Sequence, residues 1–470
     1  MAFLLSVGDI AFGVALAFLA GIFAANLDWN FYVVFFGAVL CAVAICAITA
    51  KTLKKHLWKE CILFISALAL GSFYFHFYAG WKASHTNLPS GKKASFSAVI
   101  SDEPSPSEKF LMLAASVQPP FSGDIKIFAR PESDLRYGDL LSVHGAIQNP
   151  GMPGQDPAVF LPKINIIGRH NGFWLREWMI NLKLAILGNF RDILPGDQAA
   201  LLGGIAFGSK QNFKPELKDA MALSGLTHLV AISGYNITIV IFAVGQACGR
   251  WFSRRVTFFI SLAFLFLFML MVGGAASGVR AAIMGFLALL AKEAGKTFSM
   301  RNAVTLTAAA MTLFDPTILT HNMSFVLSFL SLLGIVYLGP PVKKLLRQEE
   351  KGFLDWKENG VTTLSAQLAV MPVLVNTFGR FSAVAIVANI LVLGTVPLTM
   401  FFGFLLAVLG FVSRGLAFFT GELAGLLLGY QLFVIHFFAK LAVPLPISFN
   451  SATAMFLYYF FLAVFIFFHT

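Results

Sequence analysis

Apolar residues run almost unbroken through 3–25, 31–50 and 61–78. Each run approaches or exceeds the ~20 residues a helix needs to cross the hydrocarbon core. Each is apolar on every face, which predicts membrane helices and not the alternating strands of a porin-like barrel. The first run has no Lys or Arg before it and no clear small-x-small cleavage site, so it is expected to be a retained span and not a signal peptide. From Leu223 onward about nine further apolar runs follow, some short or cut by Gly and Pro, for an expected total of about twelve spans. The last lies near 452–469.

Between residues 84 and 172 the pattern changes to short alternating stretches punctuated by Pro, Gly, Ser and Asp. Strands are predicted at 94–100, 109–117, 124–130, 140–147 and 164–168. Turns fall at Tyr137-Gly138-Asp139 and in the NPGMPG stretch at 149–154. Five short strands in so small a segment suit an all-β barrel of the OB type. Residues 173–190 then mix apolar positions with Arg176, Glu177 and Lys183, the pattern of an amphipathic helix lying on the membrane surface. A second polar segment, 209–219, follows. The predicted organisation is a polytopic α-helical membrane protein with a small extracytoplasmic all-β domain inserted after the third span. Three transmembrane helices occupy 1–83, the OB-like domain 84–172, interfacial amphipathic helices 173–222 and a membrane domain 223–470.

Composition agrees with that picture: 58% of residues are hydrophobic, 51 are Phe, and only 12% are charged. The net charge of +11 invites a nucleic-acid reading. Many of the cations, however, sit in short loops. Lys51, Lys54, Lys55 and Lys59 separate the second and third runs, Arg250, Arg254 and Arg255 follow the fourth, and Lys292, Lys296 and Arg301 follow the sixth. This positive-inside pattern predicts cytoplasmic N- and C-termini and puts the β domain outside the cell. Within 84–172, eight Lys/Arg balance eight Asp/Glu, so the domain lacks the net positive charge expected of a nonspecific single-strand binder. It reads equally as a ligand platform or as a structural cap. The four cysteines lie in or beside predicted spans, which indicates no disulfide framework.

Polar groups at membrane depth narrow the function, because such groups face a bundle interior or a wet cavity. "HLVAISGYNITIV" at 228–240 carries His228, the Ser233-Gly234 break and Asn236. One reading is interhelical hydrogen-bond glue, with His228 at the headgroup boundary. The other is a translocation path or active centre. "GGAASGVRAAIMG" at 273–285 sets Gly274, Gly278 and Ala282 at four-residue spacing, a stripe for close helix contact, with Arg280 among them. A cation there needs a partner, a phosphate or water. Gly421, Gly425 and Gly429 form a second stripe, read as helix packing, beside Glu422. Gln367, Asn376, Arg380 and Asn389 are polar points in later runs.

No zinc H-E-x-x-H motif and no G-x-x-x-x-G-K-[ST] loop occurs, and no two of the nine histidines are two residues apart, so no metal or other cofactor is expected. The one enzymatic alternative is an intramembrane serine protease with Ser277 as nucleophile and His321 or His436 as base. Against it, Ala275 stands where a rhomboid-type G-x-S-G motif needs Gly.

Taken together, several stretches resemble the ComEC family of competence proteins. They are "ALLGGIAFGSKQNFKPELKDAMALSGLTHLVAISG" at 200–234, "SGVRAA" at 277–282, "DPTIL" at 315–319, "FVLSFLSLLG" at 325–334 and "AQLAVMPVLVNTFGRFS" at 366–382. The resemblance implies a bacterial inner-membrane channel that brings one strand of transforming DNA into the cytoplasm. It implies His228, Ser233, Gly234, Arg280, Phe325, Ser328, Phe329 and Gln367 as path or structural residues. Two positions depart from the family pattern. Asn236 stands where a second histidine is common, keeping hydrogen bonding without proton chemistry, and Val326 replaces a usual glutamine. Many members also continue into a metallo-β-lactamase-like domain, and this chain reads as a form without it. The implied partners are single-stranded DNA, membrane lipid, a separate nuclease, a DNA receptor and a cytoplasmic motor. The competing class is a transporter of lipid or cell-envelope precursors on a similar bundle.

Overall fold

The structure, a computed structural model, describes residues 7–27, 57–89, 93–107, 109–131, 134–148, 156–209, 213–230, 234–346, 356–378, 382, 384–442 and 452–469. In chain order it begins with helices α1 (Val7–Asn26) and α2 (Leu57–His85). Seven strands follow: β1 (Lys93–Ile100), β2 (Ser105–Pro106), β3 (Leu111–Val117), β4 (Gly123–Ala129), β5 (Leu140–Gln148), β6 (Ala158–Phe160) and β7 (Lys163–Gly168). Then come α3 (Trp174–Ile193), α4 (Gly196–Phe207), α5 (Pro215–Ser224), a 3-10 turn at Thr227–Leu229, and α6 (Gly234–Gly249). Next are α7 (Arg254–Val272), α8 (Ala276–Glu293), α9 (Met300–Phe314), the short α10 (Ile318–His321) and α11 (Met323–Leu345). The chain continues through α12 (Trp356–Phe378), α13 (Ala385–Leu393), α14 (Val396–Leu409), α15 (Arg414–Leu441) and α16 (Ala452–His469). Two compact units result: Met1–Trp178 with Phe298–Met323, and Met179–Thr297 with Ser324–Thr470.

In the first unit, α1 and α2 cross at small residues. A Cβ added to Gly21 would lie 2.0 Å from the Leu68 carbonyl oxygen, and one added to Gly71 would lie 2.1 Å from that of Phe18. Only hydrogen fits at either place, so backbone meets backbone. Ser72 is sealed beside the crossing. Helices α9 and α10 join this pair. Arg301 pairs with Asp9 and lies over the Phe12 ring, Tyr74 donates to the Leu313 carbonyl, and Asn26 donates to the Pro316 carbonyl at 3.3 Å. Residues 298–323 thus pack with the first unit, and Arg301, read from the sequence as a loop cation, lies in α9 and pairs with Asp9.

The predicted β segment forms a small closed barrel. The circuit runs β1-β3-β4-β6-β5 and closes by β5 pairing with β1; the β4–β6 pair is parallel. The five predicted strands each agree with an observed one to within two residues. Strand β6 was missed because it has only three residues and departs from β7 at Leu161-Pro162, where Leu161 has φ +47°. Alternation explains the core: Leu111, Leu113, Ile125, Ile127, Leu141, Val143 and Val159 point inward and are sealed. The expected turn is present, with Gly138 at φ +80° and Asp139 accepting the Arg136 N–H at 2.9 Å. The 149–154 turn lies outside the described residues. The start of α3 belongs to this unit: Arg176 pairs with Asp102 and covers the Tyr137 ring.

In the second unit the centre is α4. Ala199 through Phe207 are all buried, packed by residues of α3, α5, α6, α7, α14 and α15. The sequence reading placed this stretch among interfacial helices. The structure puts it inside, because nine consecutive apolar or Gly residues leave no polar face for headgroups.

Among the described residues six helices are long and apolar enough to cross a membrane: α1, α2, α7, α11, α12 and α15. The pair α13–α14, bent by 50°, would make a seventh. Two shorter apolar helices fall at Asn236–Gly249 and Thr453–His469. The expectation of about twelve also included the 31–50 run, which lies outside the described residues.

Candidate functional site

The polar features predicted at membrane depth gather on α6, α8, α11 and α12. Helix α7 ends at Gly273, whose φ of +92° turns the chain, and 273–275 form a bend before α8 begins. Gly274 therefore precedes the helix, and the small-residue face on α8 starts at Gly278, which is buried. Gly285, one turn past Ala282, is where α8 meets its neighbours. A Cβ there would lie 2.8 Å from the Ile241 side chain of α6.

Arg280 sits in the second turn of α8 and is 7% exposed. Its Nε has no hydrogen-bond partner among the described residues. Its guanidinium carbon lies 6.0 Å from the centroid of Phe329 on α11. Phe325, one turn earlier, stacks on Phe329 with centroids 4.2 Å apart, the neighbour relation that i and i+4 positions share on a helix. Among the described residues the arginine is thus held against an aromatic pair without an acid paired to it. Desolvating an unpaired cation is costly, which makes such a residue a candidate functional position.

Helix α12 crosses α11 where a Cβ on Gly334 would lie 2.6 Å from the Ser365 carbonyl oxygen. It carries Gln367, half-buried, and Ser365, sealed; among the described residues neither the Gln367 Oε1 nor the Ser365 hydroxyl has a hydrogen-bond partner. Ser328 is half-buried on α11, and its carbonyl accepts from the Ser331 hydroxyl at 2.8 Å. Asn376 is exposed. Asn389 is buried on α13, with Oδ1 unpartnered. Ser233 and Arg380 lie outside the described residues.

Gly234 is the first described residue of α6, and the 3-10 turn at Thr227–Leu229 precedes it; the predicted Ser233-Gly234 break falls in part outside the described residues. His228 is exposed on that turn, with Nδ1 3.2 Å from the Gly225 carbonyl. Asn236 is 4% exposed and donates its amide N–H to the Ile205 carbonyl at 2.9 Å. Ile205 is in the last turn of α4, where carbonyls have no intrahelical partner. Asn236 caps that helix end, a role visible only once α4 and α6 are side by side.

The second glycine stripe faces the end of α3 and the start of α4. A Cβ on Gly421 would meet Ile193 at 2.4 Å, and those on Gly425 and Gly429 would meet the Gln198 amide at 3.1 and 3.6 Å. Sequence reasoning missed Gln431, also on α15. Its amide N–H groups reach the hydroxyls of Thr395 and Thr399 at 2.9 and 2.8 Å, at the bend between α13 and α14. Ser277, the alternative nucleophile, is half-buried in the first turn of α8. The Nδ1 atoms of His321 and His436 are each held by a carbonyl of their own segment, Thr317 and Leu432. No group of three or more His, Cys, Asp and Glu among the described residues is placed to hold a metal.

Comparison with known proteins adds three findings. The family described as "Competence protein" matches residues 205–470. ComE operon protein 3 of Bacillus subtilis (strain 168) is 27% identical over 219 residues, which is 45% of this chain and 26% of that protein. The match therefore spans about a quarter of that relative's length. No solved structure matches.

Proposed function

Because the chain belongs to the Competence protein family, we propose that it acts in DNA uptake, conducting one strand of DNA across the bacterial inner membrane during natural transformation. The observation that carries this reading is Arg280: a buried guanidinium with an unpartnered Nε, set against Phe329 and Phe325 on a helix that starts from a glycine bend. A passing phosphate supplies the missing counter-charge, and leaves again because a single cation holds it only briefly. A conducting path works by such weak, separated contacts, whereas a dense basic ring would trap the strand. Gln367 and Ser233 would serve the same path as hydrogen-bonding groups. In this reading the OB-like barrel stands on the outer side, where DNA arrives, an orientation supported by the positive-inside pattern of the loops. In this reading a DNA receptor, a nuclease that removes the other strand and a cytoplasmic motor are separate partners.

The test is uptake of labelled double-stranded DNA in a deletion strain carrying either the unaltered chain or Arg280→Ala. Label outside the inner membrane is scored separately from label in the cytoplasm. The proposal expects captured label to stall outside when Arg280 is removed. Normal cytoplasmic entry in the deletion strain itself would sink it. Envelope defects with intact uptake would point to a lipid or cell-wall precursor as substrate.

A further inference from the structure

Pro372 lies inside α12 and is buried. Proline has no N–H to give the carbonyl four residues back, and its ring pushes that carbonyl off the helix line. The carbonyl concerned is that of Leu368. In a helix apolar enough to span a membrane, a backbone acceptor opened in this way needs a donor from a neighbouring element. Helix α16 supplies it. The Tyr458 hydroxyl donates to the Leu368 carbonyl at 2.8 Å, and the Tyr459 hydroxyl donates to the Ala369 carbonyl at 3.1 Å.

The hydroxyls, more than the rings, call for an explanation. Phe456, Phe460, Phe461, Phe467 and Phe468 of the same helix are exposed, whereas the two rings that reach α12 are half-buried Tyr. They stand edge to face, with centroids 5.6 Å apart and planes at 89°. Phe would fill almost the same space, so apolar packing alone does not select Tyr at 458. The accepting carbonyls belong to the two residues that directly follow Gln367. The same turn also rests on α11, where a Cβ on Gly334 would lie 2.5 Å from that of Ala369. That helix is the one whose Phe329 lies beside Arg280. The turn presenting Gln367 therefore lacks one of its own backbone bonds and is held by donors from another helix.

We propose that Tyr458 and Tyr459 are positioning residues for Gln367: they latch the proline-opened turn of α12 and so keep the glutamine amide in a fixed place on the conducting path. The proposal rests on the reading of the chain as a DNA conductor.

The test compares the unaltered chain with Tyr458→Phe, Pro372→Ala, the two together and Gln367→Ala, each in the deletion strain. Amide hydrogen exchange of the full-length chain in lipid nanodiscs reads the latch. Tyr458→Phe is expected to speed exchange over 366–376 about fivefold, the effect of losing one intramolecular hydrogen bond. In the Pro372→Ala background the restored N–H reaches the Leu368 carbonyl from within the helix, and Tyr458→Phe is expected to change exchange by less than about twofold. Uptake of labelled DNA reads the positioning. Tyr458→Phe and Gln367→Ala are expected to lose cytoplasmic label with captured label and the amount of inserted protein unchanged, and adding Pro372→Ala to Tyr458→Phe should bring entry back. Unchanged exchange or entry in Tyr458→Phe, normal entry in Gln367→Ala, or a loss that Pro372→Ala does not repair overturns the proposal. Normal entry in the deletion strain itself removes the conductor reading and leaves the exchange result standing, so the two failures are distinguishable.

Discussion

Arg280 and Phe329 meet across α8 and α11 with the guanidinium carbon 6.0 Å from the ring centroid and, among the described residues, no acid paired to it. The contact with the ring contributes ~0.5–2 kcal/mol. An unpaired buried charge opposes folding by more than that. Arg280→Met is therefore expected to leave thermal stability in detergent unchanged or raised while cytoplasmic DNA entry is lost. A marked fall in melting temperature would make Arg280 a structural residue.

The cap from Asn236 to the Ile205 carbonyl gives a second expectation. Asn236→Leu removes the donor and leaves a buried carbonyl at the end of α4 unsatisfied, at a cost of about 1–3 kcal/mol. Asn236→His restores a ring N–H and is expected to recover most of that loss. Equal stability of the Leu variant and the unaltered chain in detergent unfolding would show that the bond carries nothing.

Glycines of the α1–α2 crossing supply an internally controlled test. Ala at Gly21 or Gly71 puts a methyl group near 2 Å from a backbone oxygen, and overpacking of this kind costs about 1–3 kcal/mol. Gly80→Ala, on the same helix as Gly71 with nothing within 4 Å of the new atom, should be neutral or slightly stabilising. A matching loss at all three sites would count against the close crossing.

Gln431 ties α15 to the bend between α13 and α14 through Thr395 and Thr399. Gln431→Leu removes both bonds, worth about 1–3 kcal/mol together. The bend at 393–396 is expected to become more sensitive to limited proteolysis in detergent. Cleavage identical to that of the unaltered chain would remove the bond pair from the account of this broken helix.

By itself the sequence determined what depends on local periodicity. Unbroken apolar runs specified membrane-length helices, and alternation from 94 to 168 specified five strands and a small barrel. The sequence also singled out Arg280, because a cation in an apolar, glycine-rich run is conspicuous whatever surrounds it. The turn at Gly273, which puts Gly274 ahead of the helix and outside the predicted stripe, was not legible in the four-residue spacing of the small positions. Only the tertiary structure decided who meets whom. Asp9 and Arg301 are 292 residues apart, and nothing in their neighbours announces the pair that draws α9 to α1. Helix α4 looked interfacial beside its polar flanks, yet it is the centre of its unit. Asn236 could be read as glue or as path lining until Ile205 appeared opposite it. The division follows from range: spacing along one chain fixes which face of an element is apolar, while close approach between elements depends on distances that no single segment encodes.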